Sequence, residues 1–367
     1  LPPTSQGKQR VAVVIPQLGP GGAESVLLDM VSALDRDRFE ILLIATQSKN
    51  DLWRERWSDY VTHIYDLAQV IPPDRMVATV YTIVQNWHCD LVIVQNTMYG
   101  YAALQHIKRS RPQTKAMDVV HAIDENWDQA ALTAEFAPAI DTRVALSFTA
   151  QRRLIESGTA AERVKLLHGG IQLDRFSASP VRQDGKQIFY AGRLDAFKRP
   201  LLLLDIAERL RTLRGGFDFR FVIAGEGPEM PRLQHEIRRR NLASIVDLRG
   251  QVDDLTPLYA SSDILVLPSR TEGVPLVILE ALACARPVVA SNVGDIPELL
   301  EGCGIVVPLG ASELDGYARA LDKLLKDPDL RQRLGSEGRK KVAAAYDRRA
   351  ATLSYSELFR EHLSAKP

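Results

Sequence analysis

The sequence has few cysteines, no excess of charge of either sign and no long apolar run, and each absence excludes a class of protein. Its three cysteines, Cys89, Cys284 and Cys303, are too few and too irregularly spaced for a disulfide framework or a metal site. Lysine plus arginine and aspartate plus glutamate both number 46, so no overall field favours nucleic acid or an acidic polymer. Any anionic ligand must therefore be held by a local cluster of cations.

The sequence also shows no segment for membrane insertion or export. No run of about 18 apolar residues occurs, and residues 1–5 have neither the basic start nor the apolar stretch of a signal peptide. Together with the scarce cysteines, this predicts a cytoplasmic protein. Because the chain opens on Leu rather than Met, it stays open whether it is a piece of something longer.

Short apolar or β-branched runs alternate with amphipathic stretches along nearly the whole chain, which indicates βαβ units and parallel sheets. The length of 367 residues favours two domains, and the rhythm pauses at a polar, glycine-containing stretch, residues 169–185. We therefore predict two doubly wound, Rossmann-like α/β domains, residues 1–172 and residues 173–349. The predicted strands are residues 11–15, 40–45, 90–95, 115–121, 143–147 and 164–168, then 187–192, 219–224, 245–249, 263–268, 287–290 and 304–307.

Two cations lie on one predicted loop of the second domain. In open α/β sheets, ligands bind beyond the carboxyl ends of the strands, so residues that follow strands are the candidates. Arg193 and Lys198 follow the strand at 187–192 and precede a helix that opens on Pro200. A diphosphate leaving group needs such cations as its bond to a sugar breaks. Taken alone, the pair is more typical of solvated loop charges.

The strongest signal is a pair of glutamates around one apolar helix. Pro275 marks the start of the helix, and Glu280 is the only charge between residues 274 and 285. A carboxylate on a buried helix needs partners, although a partly exposed helix residue is the alternative for Glu280 alone. Glu272 lies just before the helix. Two carboxylates can accept hydrogen bonds from the vicinal hydroxyls of a ribose and a hexose, while the first helical N–H groups face phosphate or sugar.

The span from Glu272 to Glu280, with seven residues between, resembles the paired-glutamate motif of the family 4 retaining glycosyltransferases, also called glycosyltransferase group 1. Residues 191–194, 224–228 and 287–291 are similar to other parts of that family's second domain. The resemblance implies the GT-B fold, in which two Rossmann-like domains face each other across a cleft. It also implies that the last helix, about residues 350–367, returns to the first domain.

The resemblance also implies an activity and a role for each matching residue. A hexosyl group would pass from a nucleotide-diphosphate sugar to a hydroxyl acceptor with retention and without a metal or other cofactor. Because uridine donors are the commonest, we expect a UDP-sugar as the donor, with a GDP-sugar possible. Glu280 would hold the ribose, Arg193 and Lys198 the diphosphate, and Glu272 the transferred sugar. The backbone of the residues between the glutamates would assist, namely Gly273, Val274, Pro275 and Leu276.

Two further candidates lie in the first domain. The turn at residues 19–22 lacks the third glycine of a dinucleotide fingerprint and alone indicates a structural turn. It resembles the family's first glycine loop, which makes Gly22 a candidate donor contact. His121 ends a predicted strand, where a histidine is more often structural. The family keeps a histidine near the donor sugar, which makes His121 a candidate catalytic residue.

The acceptor is the least determined partner: a sugar, glycan, lipid or small molecule would each supply a hydroxyl. Aromatic and acidic residues after predicted strands are the candidate contacts, namely Tyr99, Asp124, Glu125 and Trp127. A basic stretch favours a solvated face over contact with anionic lipid, so peripheral membrane association stays an alternative; its residues are Lys108, Arg109, Arg111 and Lys115.

Two rival functions fit the architecture. A nucleotide-sugar epimerase shares it but should lack the arrangement of Glu272 and Glu280. A non-catalytic module that binds sugar nucleotides would keep the motif without turnover. The sequence does not determine the base, the donor sugar, the acceptor or the oligomeric state.

Overall fold

The computed structural model describes residues 7–47, 51–121, 128–178, 180–216 and 218–363. The chain divides into two compact units. Unit 1 comprises Leu1–Gly170 and Arg349–Pro367, and unit 2 comprises Ile171–Arg348. The division falls just before the predicted boundary at residue 172.

Within the described residues, unit 1 contains one parallel sheet of seven strands. The strands are β1 (Gln9–Ile15), β2 (Phe39–Ala45), β3 (His63–Asp66), β4 (Leu91–Val94), β5 (Lys115–Val120), β6 (Thr142–Ala145) and β7 (Val164–Leu166). They lie in the order β3-β2-β1-β4-β5-β6-β7. The edge strand β3 was not predicted, because its four residues are only half-buried and begin and end on polar side chains.

Helices cover both faces of this sheet. They are α1 (Gly22–Ser32), α2 (Arg54–Ser58), α3 (Pro73–Trp87), α4 (Met98–Ser110), α5 (Gln129–Leu132) and α6 (Phe148–Glu156). Successive side chains of a strand point to opposite faces. Accordingly, Val11, Val13 and Ile15 of β1 lie in one apolar cluster, whereas Ala12 and Val14 lie in another with α3 and α4. A strand segment buried on both faces is apolar at every position, which is why residues 11–15 of β1 could be predicted.

Unit 2 contains a six-stranded parallel sheet in the part of the chain that the structure describes. Its strands are β8 (Gln187–Ala191), β9 (Arg220–Ala224), β10 (Val246–Gly250), β11 (Ile264–Leu267), β12 (Val288–Ser291) and β13 (Gly304–Val307). They lie in the order β10-β9-β8-β11-β12-β13. The predicted class, two doubly wound parallel α/β domains, is confirmed.

The helices of unit 2 are α7 (Pro200–Arg214), α8 (Met230–Arg239), α9 (Thr256–Ser261), α10 (Leu276–Ala283), α11 (Ile296–Leu300), α12 (Glu313–Lys326) and α13 (Pro328–Ala345). The apolar helix α10 packs closely on α13 at two glycines. A Cβ at Gly338 would overlap the Leu282 side chain, and a Cβ at Gly335 would overlap the Ala285 carbonyl oxygen. This close packing holds α10, which carries Glu280, in one position.

The last helix, α14 (Arg348–Leu363), belongs to unit 1 from residue 349 onward. Tyr355, Leu358 and Phe359 are buried in the same apolar cluster as alternate residues of β1. The Tyr355 hydroxyl also donates a hydrogen bond to the His168 carbonyl oxygen over 3.1 Å. The end of the chain thus completes the core of the first unit.

Cys89, Cys284 and Cys303 are buried free thiols. Of the helices in the described ranges, none combines the length and apolar character needed to cross a membrane.

One fully buried ion pair lies inside unit 1. Arg143 Nη2 donates to Asp118 Oδ2 over 2.7 Å, and neither side chain is exposed. Burial raises the pKa of Asp118, while the neighbouring guanidinium opposes the rise. The Tyr101 hydroxyl donates to the same carboxylate over 3.3 Å. The pair joins β5 to β6, and β5 is the strand that leads to His121.

We expect Arg143→Met to lower the free energy of unfolding by about 3–5 kcal/mol, because it leaves the Asp118 carboxylate buried without its cation. The double variant Arg143→Met/Asp118→Leu should lose less, since no uncompensated charge remains. Urea denaturation followed by circular dichroism measures both. A double variant that is less stable than the single one would contradict this account.

Candidate active site

The centre of the unit 2 sheet is where its strand order changes direction. β8 and β11 lie side by side there, and later strands are added outward on both sides. Loops that leave two such strands diverge and form the crevice in which open α/β sheets bind ligands. The loop after β8 carries Arg193 and Lys198, and the loop after β11 carries Glu272. Three of the predicted site residues therefore lie at this position.

Lys198 and Glu272 form the central contact of the site. Lys198 Nζ donates to Glu272 Oε1 over 2.6 Å, although the residues are 74 positions apart in sequence. Only 25% of the lysine side chain and 8% of the glutamate side chain are exposed. The two loops are also joined through their backbones, because the Arg270 N–H donates to the Phe197 carbonyl oxygen over 2.7 Å.

The side chain of Arg193 is far more exposed to solvent than that of Lys198. Its side chain is 77% exposed, and its Nη2 lies 2.6 Å from Asp195 Oδ2. The guanidinium faces solvent, whereas the Asp195 side chain is only 15% exposed. Its backbone is held, because the Tyr190 hydroxyl donates to the Arg193 carbonyl oxygen over 3.0 Å. The loop therefore combines an anchored backbone with an available cation.

Asp195 is a site residue that the sequence analysis missed. Its Oδ1 accepts hydrogen bonds from the backbone N–H groups of Phe197 and Lys198, both over 3.0 Å. This is the local turn that aspartate favours, and it shapes the backbone on which Lys198 stands. Its position three residues before Lys198 was the feature of the sequence that could have indicated this turn.

Glycines let neighbouring loops brace the site by close backbone approach. Gly225 has a φ of 144°, and a Cβ there would overlap the Gly192 carbonyl oxygen. Gly294 has a φ of 54°, and a Cβ there would overlap the Glu272 carbonyl oxygen. In addition, the Leu194 N–H donates to the Glu226 carbonyl oxygen over 2.8 Å. Close contacts with neighbouring loops therefore fix the backbones that carry Lys198 and Glu272.

Glu280 lies on α10 and has a buried partner. The Tyr259 hydroxyl donates to Glu280 Oε2 over 2.7 Å, and Tyr259 is only 1% exposed. Burial raises the pKa of Glu280, and the hydrogen bond from Tyr259 opposes the rise. Tyr259 supplies the partner that a lone carboxylate on an apolar helix requires. No pattern in the sequence marked this tyrosine as part of the site.

The residues between the two glutamates form the approach to α10. Pro275 is the last residue before the helix, which begins at Leu276. Gly273 and Val274 are half-buried, and Leu276 is exposed. The first N–H groups of a helix have no partner within it, and their partial positive charge favours an anion. The helix N-terminus and Glu272 thus lie next to each other in the chain.

In unit 1, Gly22 is the first residue of α1 and is exposed. Among the described residues, no atom would lie within 4 Å of a Cβ at this position, so protein packing does not require a glycine there. At Gly21, by contrast, a Cβ would overlap the Glu24 carboxylate. The space around Gly22 is open to a ligand.

His121 follows β5 directly rather than ending it. Its N–H donates to Gln129 Oε1 over 3.3 Å, and Gln129 Nε2 donates to the Val119 carbonyl oxygen over 3.1 Å. The Nε2 atom of His121 is enclosed and has no hydrogen-bond partner within the described ranges. Burial lowers the pKa of His121 to about 3, so the imidazole is neutral near pH 7.

Of the candidate acceptor contacts, the structure describes only Tyr99. This residue lines a cavity of about 430 Å³ together with Thr46, Gln47 and Met98. The other three candidates lie outside the described residues, namely Asp124, Glu125 and Trp127. In the basic stretch, Lys108 Nζ lies 2.9 Å from Asp141 Oδ2, so this cation is engaged within the protein.

Comparison with family models identifies both halves of the chain. Residues 20–175 match the model "Glycosyltransferase Family 4", and residues 185–327 match the model "Glycosyl transferases group 1". Over 178 residues, 47% of this chain and 45% of the relative, it is 35% identical to alpha-D-kanosaminyltransferase from Streptomyces kanamyceticus. Over 205 residues, 49% of this chain and 50% of the relative, it is 31% identical to D-inositol 3-phosphate glycosyltransferase from Paenarthrobacter aurescens. The chain spans about half the length of these curated relatives.

Solved structures resemble the chain over nearly its whole length. HepE from Anabaena, in complex with UDP, is 21% identical with a TM-score of 0.78, and the match covers 96% of this chain and 100% of HepE. Sucrose-phosphate synthase from Thermosynechococcus elongatus is 20% identical with a TM-score of 0.75, with 98% and 100% covered. Such low identities show the fold alone, which is GT-B. The two family models, which together match residues 20–175 and 185–327, show that this chain belongs to the group 1, family 4 glycosyltransferases.

Proposed function

We propose that this chain transfers a hexosyl group from a nucleotide-diphosphate sugar to a hydroxyl acceptor with retention of the anomeric configuration. The observation that carries the proposal is the 2.6 Å contact between Lys198 and Glu272 beyond β8 and β11. It joins a cation suited to phosphate with a carboxylate suited to sugar hydroxyls. A nucleotide sugar presents these two groups side by side.

In the proposed complex, Lys198 and Arg193 exchange their carboxylate partners for the diphosphate. Glu272 then accepts hydrogen bonds from the transferred sugar, and Glu280 accepts them from the ribose. Since negative charge grows on the diphosphate as the sugar bond breaks, the two cations stabilise the transition state more than the ground state. In this proposal they take the charge-neutralising role that a metal ion has in other enzymes.

We propose a front-face reaction for the transfer. The acceptor oxygen bonds to the anomeric carbon on the side from which the diphosphate oxygen departs, and the acceptor proton passes to that departing oxygen. In unit 1, the neutral imidazole of His121 is proposed to bond to the donor sugar through Nε2, and Gly22 to lie near the donor. The cavity beside Tyr99 is the proposed place for part of the acceptor.

The proposed donor is a UDP-sugar, with a GDP-sugar as the alternative. HepE has been solved with UDP and with UDP-glucose, and the S. aureus enzyme TarM has been solved with UDP. The nucleotides bound in these solved structures support uridine as the base.

The function is tested first with ligands alone. We expect UDP to raise the melting temperature more than GDP or ADP, because binding to the folded state stabilises it.

We also expect slow hydrolysis of the matching sugar nucleotide, with the α-anomer released first from an α-linked donor, as followed by nuclear magnetic resonance. Stabilisation without turnover at any acceptor would favour a binding module, and epimerisation of the donor sugar without release of nucleotide would favour an epimerase.

A second test separates the two glutamates. Glu280→Gln should weaken the binding of the free nucleotide and of the intact donor equally, by about 1–3 kcal/mol. The reason is that it removes hydrogen bonds from the ribose to a charged acceptor. Glu272→Gln should leave the affinity for free nucleotide unchanged and lower turnover and donor discrimination. Calorimetry with UDP and steady-state rates with the donor measure both effects.

The control for this comparison is Glu337→Gln, which removes an exposed carboxylate of α13 that is paired only with Lys340 among the described residues. It should change neither quantity. Equal losses of free-nucleotide affinity in the Glu272 and Glu280 variants would refute the proposed division of roles.

A further inference from the structure

The residue after Lys198 has an unusual backbone conformation. Arg199 has φ 54° and ψ 48°, which is the left-handed helical region, and it immediately precedes α7. Side chains with a Cβ are disfavoured in this region, and glycine is the residue that enters it freely. Such conformations persist where the surrounding structure holds them.

Arg199 is held by a two-pronged ion pair. Its Nη1 donates to Glu313 Oε1 and its Nη2 donates to Glu313 Oε2, both over 2.7 Å. Only 18% of the arginine side chain and 11% of the glutamate side chain are exposed. Two parallel hydrogen bonds between planar groups define orientation as well as distance. Glu313 is the first residue of α12, so the pair ties the start of α7 to the start of α12.

The Arg199 backbone determines how the chain leaves Lys198. The turn begins at Asp195, whose side chain accepts from the Lys198 N–H, and closes with a 3.1 Å bond from the Arg199 N–H to the Asp195 carbonyl oxygen. The left-handed residue then redirects the chain into α7. A right-handed conformation at this position would rotate the preceding peptide and with it the direction of the Lys198 side chain.

We propose that Arg199 is a positioning residue: its ion pair with Glu313 holds the left-handed turn that aims Lys198 at the diphosphate. This inference rests on the proposed function, because it takes the diphosphate as the ligand of Lys198. Arg199 itself makes its contact to Glu313 and acts on the ligand only through its neighbour.

The same two helices provide matched controls. Arg209 of α7 pairs with Asp315 of α12, and Arg214 of α7 pairs with Asp322 of α12. These pairs join α7 to α12 as the Arg199 pair does, but they lie further along the helices from the loop that carries Lys198. A merely structural role for Arg199 would make its loss resemble the loss of Arg214.

The test compares Arg199→Ala, Arg199→Gly and Arg214→Gln in the full chain. Arg199→Ala removes the ion pair but keeps a Cβ, so we expect weaker UDP binding and a kcat/KM about 10- to 100-fold lower, as small misplacements of a catalytic group produce. Arg199→Gly should recover most of this loss, because glycine adopts the left-handed turn without help. Both Arg199 variants should melt below the wild type because both lose the ion pair, and the glycine variant should melt no lower than the alanine variant because glycine is not strained in this conformation.

Arg214→Gln should lower the melting temperature and leave UDP affinity and turnover unchanged. Equal activity of Arg199→Ala and Arg199→Gly would overturn the proposal, as would activity losses that follow melting temperature across all three variants. If Arg199→Ala fails to fold, Glu313→Gln supplies the comparison, because it weakens the same pair while keeping Arg199. Normal UDP binding by Arg199→Ala, with a loss in Lys198→Ala, would refute the positioning role alone. A wild-type chain that binds no nucleoside diphosphate would refute the proposed function.

Discussion

The adjacency of β8 and β11 is the constraint on which the candidate site depends. Parallel strands direct their carboxyl ends to the same sheet edge, and a change of strand order separates the loops that follow. In unit 2 this brings Lys198 against Glu272, although the chain passes through β9 and β10 between them. The close backbone approaches at Gly225 and Gly294 and the turn at Asp195 fix the two loops that carry this contact.

Charge balance explains why this site is stable before it binds a ligand. The part of the chain that the structure describes pairs Lys198 with Glu272 and Arg193 with Asp195. A half-buried lysine without a partner would be costly, and its partner here is a group that the proposed substrate also needs. Binding a nucleotide sugar would replace these ion pairs by contacts of the two cations with the diphosphate and by hydrogen bonds from sugar hydroxyls to Glu272, while Asp195 keeps its two backbone hydrogen bonds. This exchange accounts for a site that combines two cations with two carboxylates.

The sequence predicted the features that follow from local pattern. Residues 11–15 of β1 and all of β11 are apolar and buried, so both sheets could be placed, and Pro200 and Pro275 marked where helices start. The family motif between Glu272 and Glu280 indicated the site residues, whose roles stay predictions. The edge strand β3 was missed, because a short half-buried strand lacks such a pattern.

What could not be predicted depends on contacts between distant segments. Tyr259 reaches Glu280 from another helix, and Asp118 meets Arg143 inside a core where charged residues are rarely expected. The left-handed turn at Arg199 carries no local signal, since glycine or asparagine would have marked it and arginine does not. In each case the conformation or burial of the residue depends on a partner that is distant in sequence.

The central claim is that the loops after β8 and β11, with the start of α10, hold a nucleoside diphosphate. Hydrogen–deuterium exchange of the whole chain, with and without saturating UDP, tests it most directly. The account predicts slower exchange at residues 192–199 and 272–280 when UDP is bound, with uridine alone protecting the first of these segments much less. Protection confined to unit 1, or unchanged exchange in both segments while UDP is shown to bind, would contradict it.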